Sequence, residues 1–454
     1  MKILMFTNTY RPFTGGVPRS VDTFAGQFRK MGHTVKIVAP DFEGQEDDPD
    51  VFRVPALQHF NGTDFSVHLP IPAKLHEFAE KYAPDIIHSH HPFLLGSTAI
   101  RMAAWLKRPV LFTYHTQYER YLHYLPGGES ESLRHFVVTL AVGYANLTDQ
   151  VIAPSQSIAE ELRTRGVIKP ITVVPTGVDV EAIATGNGPR FRRKHGIPQE
   201  AFVVGFCSRL APEKNLEFLC DAVLRFMDVN QTAWFVIAGV GPLEASLKAR
   251  FEKAESSSRI LMRGNLEGND LFDFYAALDI FAFASLSETQ GLVVTEAMAA
   301  GTPVVALRGP GVQEVLQDGI NGRLLEKHDA GVFAKALGDI VRMDSPARIA
   351  LSAAARETAR QLSDAACARR ELELYESVLR DSPSGNADEA SVFESKWDTF
   401  RNVVTTEWNL LANIGKAAGE AIVESIIPKN ERDAKGSEEA RGTSPGIDTS
   451  AHAS

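Results

Sequence analysis

The chain has 454 residues, more than a single hydrophobic core usually organises, so two domains are the first expectation. Hydrophobic residues make up 44% and charged residues 23%, which excludes a wholly disordered chain or a disulfide scaffold. With 47 basic against 57 acidic side chains the net charge is −10, which argues against nucleic-acid binding as the main function. The three cysteines, Cys207, Cys220 and Cys367, lie far apart without metal-ligand spacing, as in a reducing cytosol. No apolar run reaches the roughly 18–20 residues that span a bilayer, and the opening MKILMFTNTY turns polar too early for a signal peptide.

In chain order, Lys2–Thr7, Thr34–Ala39, Asp85–His88, Val110–Tyr114, Val151–Ala153 and Ile171–Val174 are short runs apolar on both faces. Such runs fit a parallel sheet covered by helices on each side. Pro18–Met31 reads as an intervening helix with Pro in its first turn and Gly32 at its end. The rhythm restarts at Phe202–Phe206 and continues through Trp234–Ala238, Ile260–Met262, Ile280–Ala284, Pro303–Ala306 and Arg323–Leu325. Two successive βα series predict an α/β protein of two doubly wound domains, 1–185 and 199–380, joined by a Gly- and Pro-containing linker over 184–198. Past 381 the pattern changes. Residues 391–427 carry apolar positions at helical spacing and predict one long amphipathic helix, and 428–454 is a Gly/Ser/Glu-rich tail expected to be disordered. Charge is uneven: residues 1–40 hold six basic side chains and one acidic, whereas 41–50 (DFEGQEDDPD) hold six acids.

Three segments carry candidate chemistry. Gly15 and Gly16 follow the first strand and open a helix, where backbone amides suit an anionic phosphate; a tight strand-to-helix turn is the plainer alternative. Arg209 and Lys214 lie in SRLAPEKN after another strand, where α/β folds place ligands, and together they would suit a diphosphate without metal; surface charges at a strand end are the plainer alternative. Glu288 and Glu296, eight positions apart in SETQGLVVTEAM, frame a strand end, a Gly turn and a helix. Glu288 is expected in the loop, in reach of a sugar. Glu296 is expected about two turns inside the helix, where a carboxylate accepts both hydroxyls of a ribose. Two signals are discounted: Asp48-Pro49-Asp50 sits in an acidic loop away from any nucleotide-site strand, and His88, His90 and His91 lack the supporting carboxylate pattern of a metal site.

With VIAPSQSIAEEL, VVPTGVD, IAGVGP and EAMAAGTPVVA, these motifs resemble family 4 of the retaining glycosyltransferases over roughly residues 1–380. The resemblance implies the GT-B fold, two Rossmann-like domains with a nucleotide-sugar held mainly by the second. It assigns the diphosphate to Arg209 and Lys214, with Gly15 and Gly16 approaching from the opposite domain. It assigns the ribose to Glu296, the sugar to Glu288, and the donor's sugar and phosphate to Gln290, Gly291 and Leu292. His115, after the strand VLFTY, is placed by the resemblance against the donor hexose; His115 and Glu288 are the expected catalytic residues. HSHHPFLLG, FTYHTQYERYLHYLP and SETQG are similar to bacterial diacylglycerol glucosyltransferases. These imply UDP-glucose as donor, diacylglycerol as acceptor and a peripheral position at the inner face of the cell membrane. Tyr114, Tyr118, Tyr121 and Tyr124 line an acceptor cleft or form a packed helix face.

The expected reaction replaces a nucleoside diphosphate on the anomeric carbon by an acceptor hydroxyl, with retention, no cofactor and no metal. Front-face attack fits better than double displacement, since no protein nucleophile is evident. Alternatives are a family 4 enzyme using GDP-mannose or another acceptor (phosphatidylinositol, a polysaccharide or a soluble sugar), a UDP-sugar epimerase, and an inactive GT-B scaffold. A basic edge of Arg11, Arg19, Arg29, Lys30 and Lys36 and the apolar stretch Leu133–Val142 are consistent with a lipid surface, although the acidic 41–50 stretch offsets the first and burial explains the second equally well.

Overall fold

Short runs that are apolar on both faces become parallel strands because only coverage by helices on each side removes them from water. Lys2–Phe6 is buried at every residue after Lys2, and Gln150–Ala153 along its whole length. The computed structural model describes residues 1–13, 15–57, 67–68, 73–120 and 130–381, with Thr405, Asn409, Asn413, Lys416 and Ala417. Its first sheet is parallel throughout, in the order Val51–Val54, Thr34–Pro40, Lys2–Phe6, Ile86–Ser89, Val110–Thr113, Gln150–Ala153, Ile171–Val173. The second is also parallel, in the order Ile260–Met262, Ala233–Ala238, Phe202–Cys207, Ile280–Phe283, Val304–Leu307, Gly322–Leu325. These are two Rossmann-like domains with separate cores. In each sheet the chain order reverses beside its first strand, Lys2–Phe6 or Phe202–Cys207. Ligands of doubly wound sheets bind at the carboxyl ends of such strands.

The expected strands are present to within a residue or two. Three were missed: Ala56–Leu57 and Val67–His68 form a small antiparallel pair, and Val51–Val54 adds an edge strand to the first sheet directly after the acidic loop, half-buried and interrupted by Arg53. The expected linker also differs. Val180–Ala184 and Gly188–Lys194 are helices, and Ile183, Phe191 and Ile197 pack into the second core. Arg190 pairs with Asp273 and Arg192 with Asp279 at 2.5 and 2.8 Å, fixing this stretch to the second domain.

The crossing itself is shorter, between Val174 in the first core and Val178 in the second. A second crossing returns at the other end. Helix Asp364–Asp381, expected inside the 199–380 unit, buries Cys367, Ala368, Leu372 and Tyr375 against the first domain beside helix Gly16–Lys30. The second domain therefore ends near Leu362. The two crossings pair with each other: Val178 N–H donates to Leu362 O and Asp364 N–H to Val178 O, both at 3.0 Å. Gly177 permits this approach, since a Cβ there would stand 2.3 Å from Asp364 Cα.

Of the helix expected over 391–427, Thr405, Asn409, Asn413, Lys416 and Ala417 are helical. Asn413 donates to Leu140 O at 3.2 Å, and Ala417 is fully buried. The rest of that span and the 428–454 tail lie outside the described residues. Among the described residues no helix is long and apolar enough to cross a membrane.

Candidate functional site

On the second domain, strand Phe202–Cys207 ends in the loop that carries Arg209, which is exposed. The loop is braced from the neighbouring strand end: Leu210 N–H donates to Val240 O and Leu243 N–H to Leu210 O, both at 2.9 Å. A short 3-10 turn, Pro212–Lys214, follows and is pinned by Ser285 and Ser287, whose hydroxyls donate to Glu213 O at 3.2 and 3.3 Å. This sets Lys214 Nζ 2.5 Å from Glu288 Oε1, with the two side chains 13% and 16% exposed. The loop after strand Ile280–Phe283 ends at Gly291, whose φ of +74° turns the chain into helix Leu292–Ala300. No side chain caps that helix start.

Glu296 is the fifth residue of this helix, little more than one turn inside it rather than about two. It is 1% exposed, and the Tyr275 hydroxyl donates to its Oε2 at 2.7 Å. Burial holds the Tyr275 phenol protonated as a donor and pushes the neighbouring Cys207 thiol up to about 12, so that thiol is not a nucleophile at neutral pH.

The first domain brings its own strand ends to the same place. Gly15 and Gly16 open helix Gly16–Lys30 without a side-chain cap, and a Cβ on Gly16 would meet nothing within 4 Å. Neither packing nor a left-handed backbone requires glycine at Gly16, so the space above it is open to a ligand. One turn further, Arg19 reaches across the domain junction and ion-pairs with Glu296 Oε1. His115 follows strand Val110–Thr113, half-buried, with its Nε2 2.9 Å from His90 Nδ1. Burial lowers both imidazoles well below the usual histidine range, so both are neutral at pH 7. The His115 carbonyl accepts from the Thr289 hydroxyl at 3.0 Å, which sets His115 beside the loop carrying Glu288.

Gln290 takes a different position from that expected of a donor contact. Its side-chain carbonyl accepts from Thr176 N–H at 2.7 Å and its amide donates to Thr176 O at 2.5 Å, a clasp across the first crossing. Leu292, next to Gly291, is half-buried in the first turn of the helix. The structure thus brings Gly15, Gly16, His115, Arg209, Lys214, Glu288, Gly291, Leu292 and Glu296 to the facing strand ends of the two domains and turns Gln290 toward the crossing. Arg19 and Tyr275 were not foreseen. Arg19 had a signal, its place three residues after Gly16 on one helix face, whereas Tyr275 lies in a separate helix with no local mark.

The remaining sequence signals resolve individually. Tyr114 is a core residue, packed edge-on against Phe112 and Tyr118, so it does not line a cleft; Tyr121 and Tyr124 lie outside the described residues. His88 is bonded to the Tyr375 hydroxyl at 2.6 Å and to the Thr113 hydroxyl at 2.7 Å, and His91 accepts from Asn8 N–H at 3.1 Å. Asp50 pairs with Lys36 and Arg29 at 2.7 and 3.3 Å, and Arg11 with Asp22 at 2.7 Å. Asp50 and Asp22 therefore neutralise part of the basic edge, which offers anionic lipid less charge than its composition implies.

The model of Glycosyltransferase Family 4 matches residues 14–182, and that of Glycosyl transferases group 1 matches residues 188–360. The alpha-monoglucosyldiacylglycerol synthase of Streptococcus pneumoniae is 33% identical over 347 residues, 74% of this chain and 78% of its own. A GDP-mannose-dependent alpha-mannosyltransferase of Corynebacterium glutamicum is 28% identical over 393 residues, 84% of this chain and 89% of its own. Among solved structures, Anabaena HepE in complex with UDP aligns with a TM-score of 0.64 over 83% of this chain and 100% of its own, at 21% identity, which is a likeness of fold.

Proposed function

Since the chain belongs to glycosyltransferase family 4 and is a glycosyltransferase of the GT-B type, we propose that it transfers glucose from UDP-glucose to the hydroxyl of diacylglycerol, with retention and without metal, at the inner face of the cell membrane. The observation that carries the reading is the pairing of Lys214 with Glu288 at 2.5 Å in a loop that also bonds to the His115 backbone. A diphosphate entering beside Arg209 draws Lys214 to itself. Glu288 is then released to accept from a sugar hydroxyl. Arg209 and Lys214 balance the charge that grows on the leaving diphosphate, the task a metal performs elsewhere. Asp50, from the Asp48-Pro49-Asp50 run, is spent on Lys36 and Arg29. His115, neutral at pH 7, acts by hydrogen bonding to the hexose, and the protein's main contribution is positioning and charge stabilisation.

Glucose and diacylglycerol rest on the name of the Streptococcus pneumoniae relative. Transfer from GDP-mannose is the second reading, favoured by the length of the Corynebacterium glutamicum match. Purified protein is incubated in EDTA with UDP-glucose or GDP-mannose and anionic liposomes with and without diacylglycerol. The expected product is an α-linked glucosyl lipid by mass spectrometry and NMR. An obligate Mn²⁺ requirement, a β-product, or transfer confined to soluble sugars would overturn the respective part.

A further inference from the structure

The Glu296 carboxylate is buried to 1% exposure and is only partly used. An ionised carboxylate has about four lone-pair positions. Tyr275 takes one on Oε2 and the Arg19 guanidinium lies against Oε1, which leaves about two. A buried acceptor without a donor is costly unless something supplies one. Ion pairing with Arg19 keeps the negative charge in place without consuming the whole acceptor capacity, and it comes from the other domain. A cis-diol brings two hydroxyl donors, which matches what remains.

We infer that Arg19 is a positioning residue for ribose recognition: reaching from the first domain, it holds Glu296 as a charged acceptor for the 2′- and 3′-hydroxyls of the nucleotide, so that selection of ribose over deoxyribose operates only when the domains are closed. The inference rests on the proposed ribose role of Glu296. Hydroxyl donation to a carboxylate is charge-assisted, roughly twice as strong as to a neutral acceptor. Without Arg19, a carboxylate buried this deeply loses its counter-charge, and the diol loses most of that advantage. Arg19 therefore governs which sugar the nucleotide carries more than how its base or phosphates are held.

The test is a chemical cycle. Dissociation constants of UDP and 2′,3′-dideoxy-UDP are measured by calorimetry for the wild-type chain, Arg19→Ala and Arg19→Lys. Wild type is expected to prefer UDP roughly tenfold or more, Arg19→Ala to fall within about threefold, and Arg19→Lys to retain most of the preference. Arg19→Ala that distinguishes the two ligands as well as wild type overturns the inference while leaving Glu296 on the ribose. UDP binding that tightens in Arg19→Ala overturns it as well, making Arg19 a competitor for the carboxylate. A wild-type chain that does not distinguish the ligands removes the ribose from Glu296, and the inference with it. If Arg19→Lys loses the preference as fully as Arg19→Ala, with both variants folded by circular dichroism, the positive charge is not what holds Glu296 for the diol and the inference is overturned.

Discussion

Replacing Gln290 by Ala separates a ligand contact from a structural clasp. The Gln290 side chain is 6% exposed and makes two hydrogen bonds, of 2.7 and 2.5 Å, to the backbone N–H and C=O of Thr176, itself 4% exposed. Truncation leaves both backbone groups buried without partners, at about 1–3 kcal/mol for each orphaned group. Water entering the space left by the side chain recovers part of this, so a net loss of about 2–3 kcal/mol is expected. For domains of this size each kcal/mol moves the melting midpoint by about 2–4 °C, a fall of roughly 4–12 °C. Calorimetric unfolding measures it, and Gln290→Glu, which keeps the acceptor and loses the donor, should be at least as destabilising. UDP affinity of the folded variant should change less than tenfold. A midpoint unchanged within 1 °C together with a large loss of UDP affinity would refute the clasp and return Gln290 to the donor.

Lys214→Ala should lower UDP affinity and turnover together, by about 2–4 kcal/mol in kcat/KM, because its charge meets a diphosphate that grows more negative in the transition state; turnover assays with UDP-glucose check this. Gly177→Ala places a methyl 2.3 Å from Asp364 Cα, so the paired crossings must part, at about 1–3 kcal/mol or more read by chemical denaturation. Stability should also fall in acid: burial holds His91 at about 3 against an ordinary 6.5, so below pH 6.5 the unfolded chain binds a proton that the folded chain refuses. That one group removes about 1.4 kcal/mol per pH unit from 6.5 down to 3, and His91→Asn should flatten the slope of stability against pH in that window.

Most of the fold is legible in the sequence because burial on both faces leaves a compositional mark. Val203–Phe206 and Ile280–Phe283 contain no polar side chain, and their boundaries follow from that. Val51–Val54 lacks the mark because an edge strand is half-solvated and tolerates Arg53. The 184–198 stretch misleads for the opposite reason: its glycines and proline read as a linker, while Arg190 and Arg192 tie it to Asp273 and Asp279, partners more than 80 residues away. The return of Asp364–Asp381 to the first domain has no local signal at all, since an amphipathic helix does not specify which core receives its apolar face. In the site, Arg209, Lys214 and Glu288 stand out by charge in loops after strands, and Glu296 by charge in an otherwise apolar helix. Tyr275 and the Thr176 backbone do not, because their roles arise only from packing.

The four residues from Glu288 to Gly291 show how closely the candidate site and the crossing are joined. Glu288 meets Lys214, Thr289 holds the His115 carbonyl, Gln290 clasps Thr176, and Gly291 turns the chain into the helix that carries Glu296. Consecutive residues thus reach Lys214, the opposite domain and the crossing. A site built between two domains needs this, because its geometry exists only at one relative placement, and contacts that hold that placement are worth as much to the reaction as those that touch substrate. Ser157 donating to Glu314 Oε1 at 2.5 Å adds a further tie across the same junction. A loss of activity in this loop therefore has two physical origins. They separate by a simple criterion: a lost ligand contact is felt in affinity at constant stability, whereas a lost tie lowers stability and every ligand-dependent quantity together.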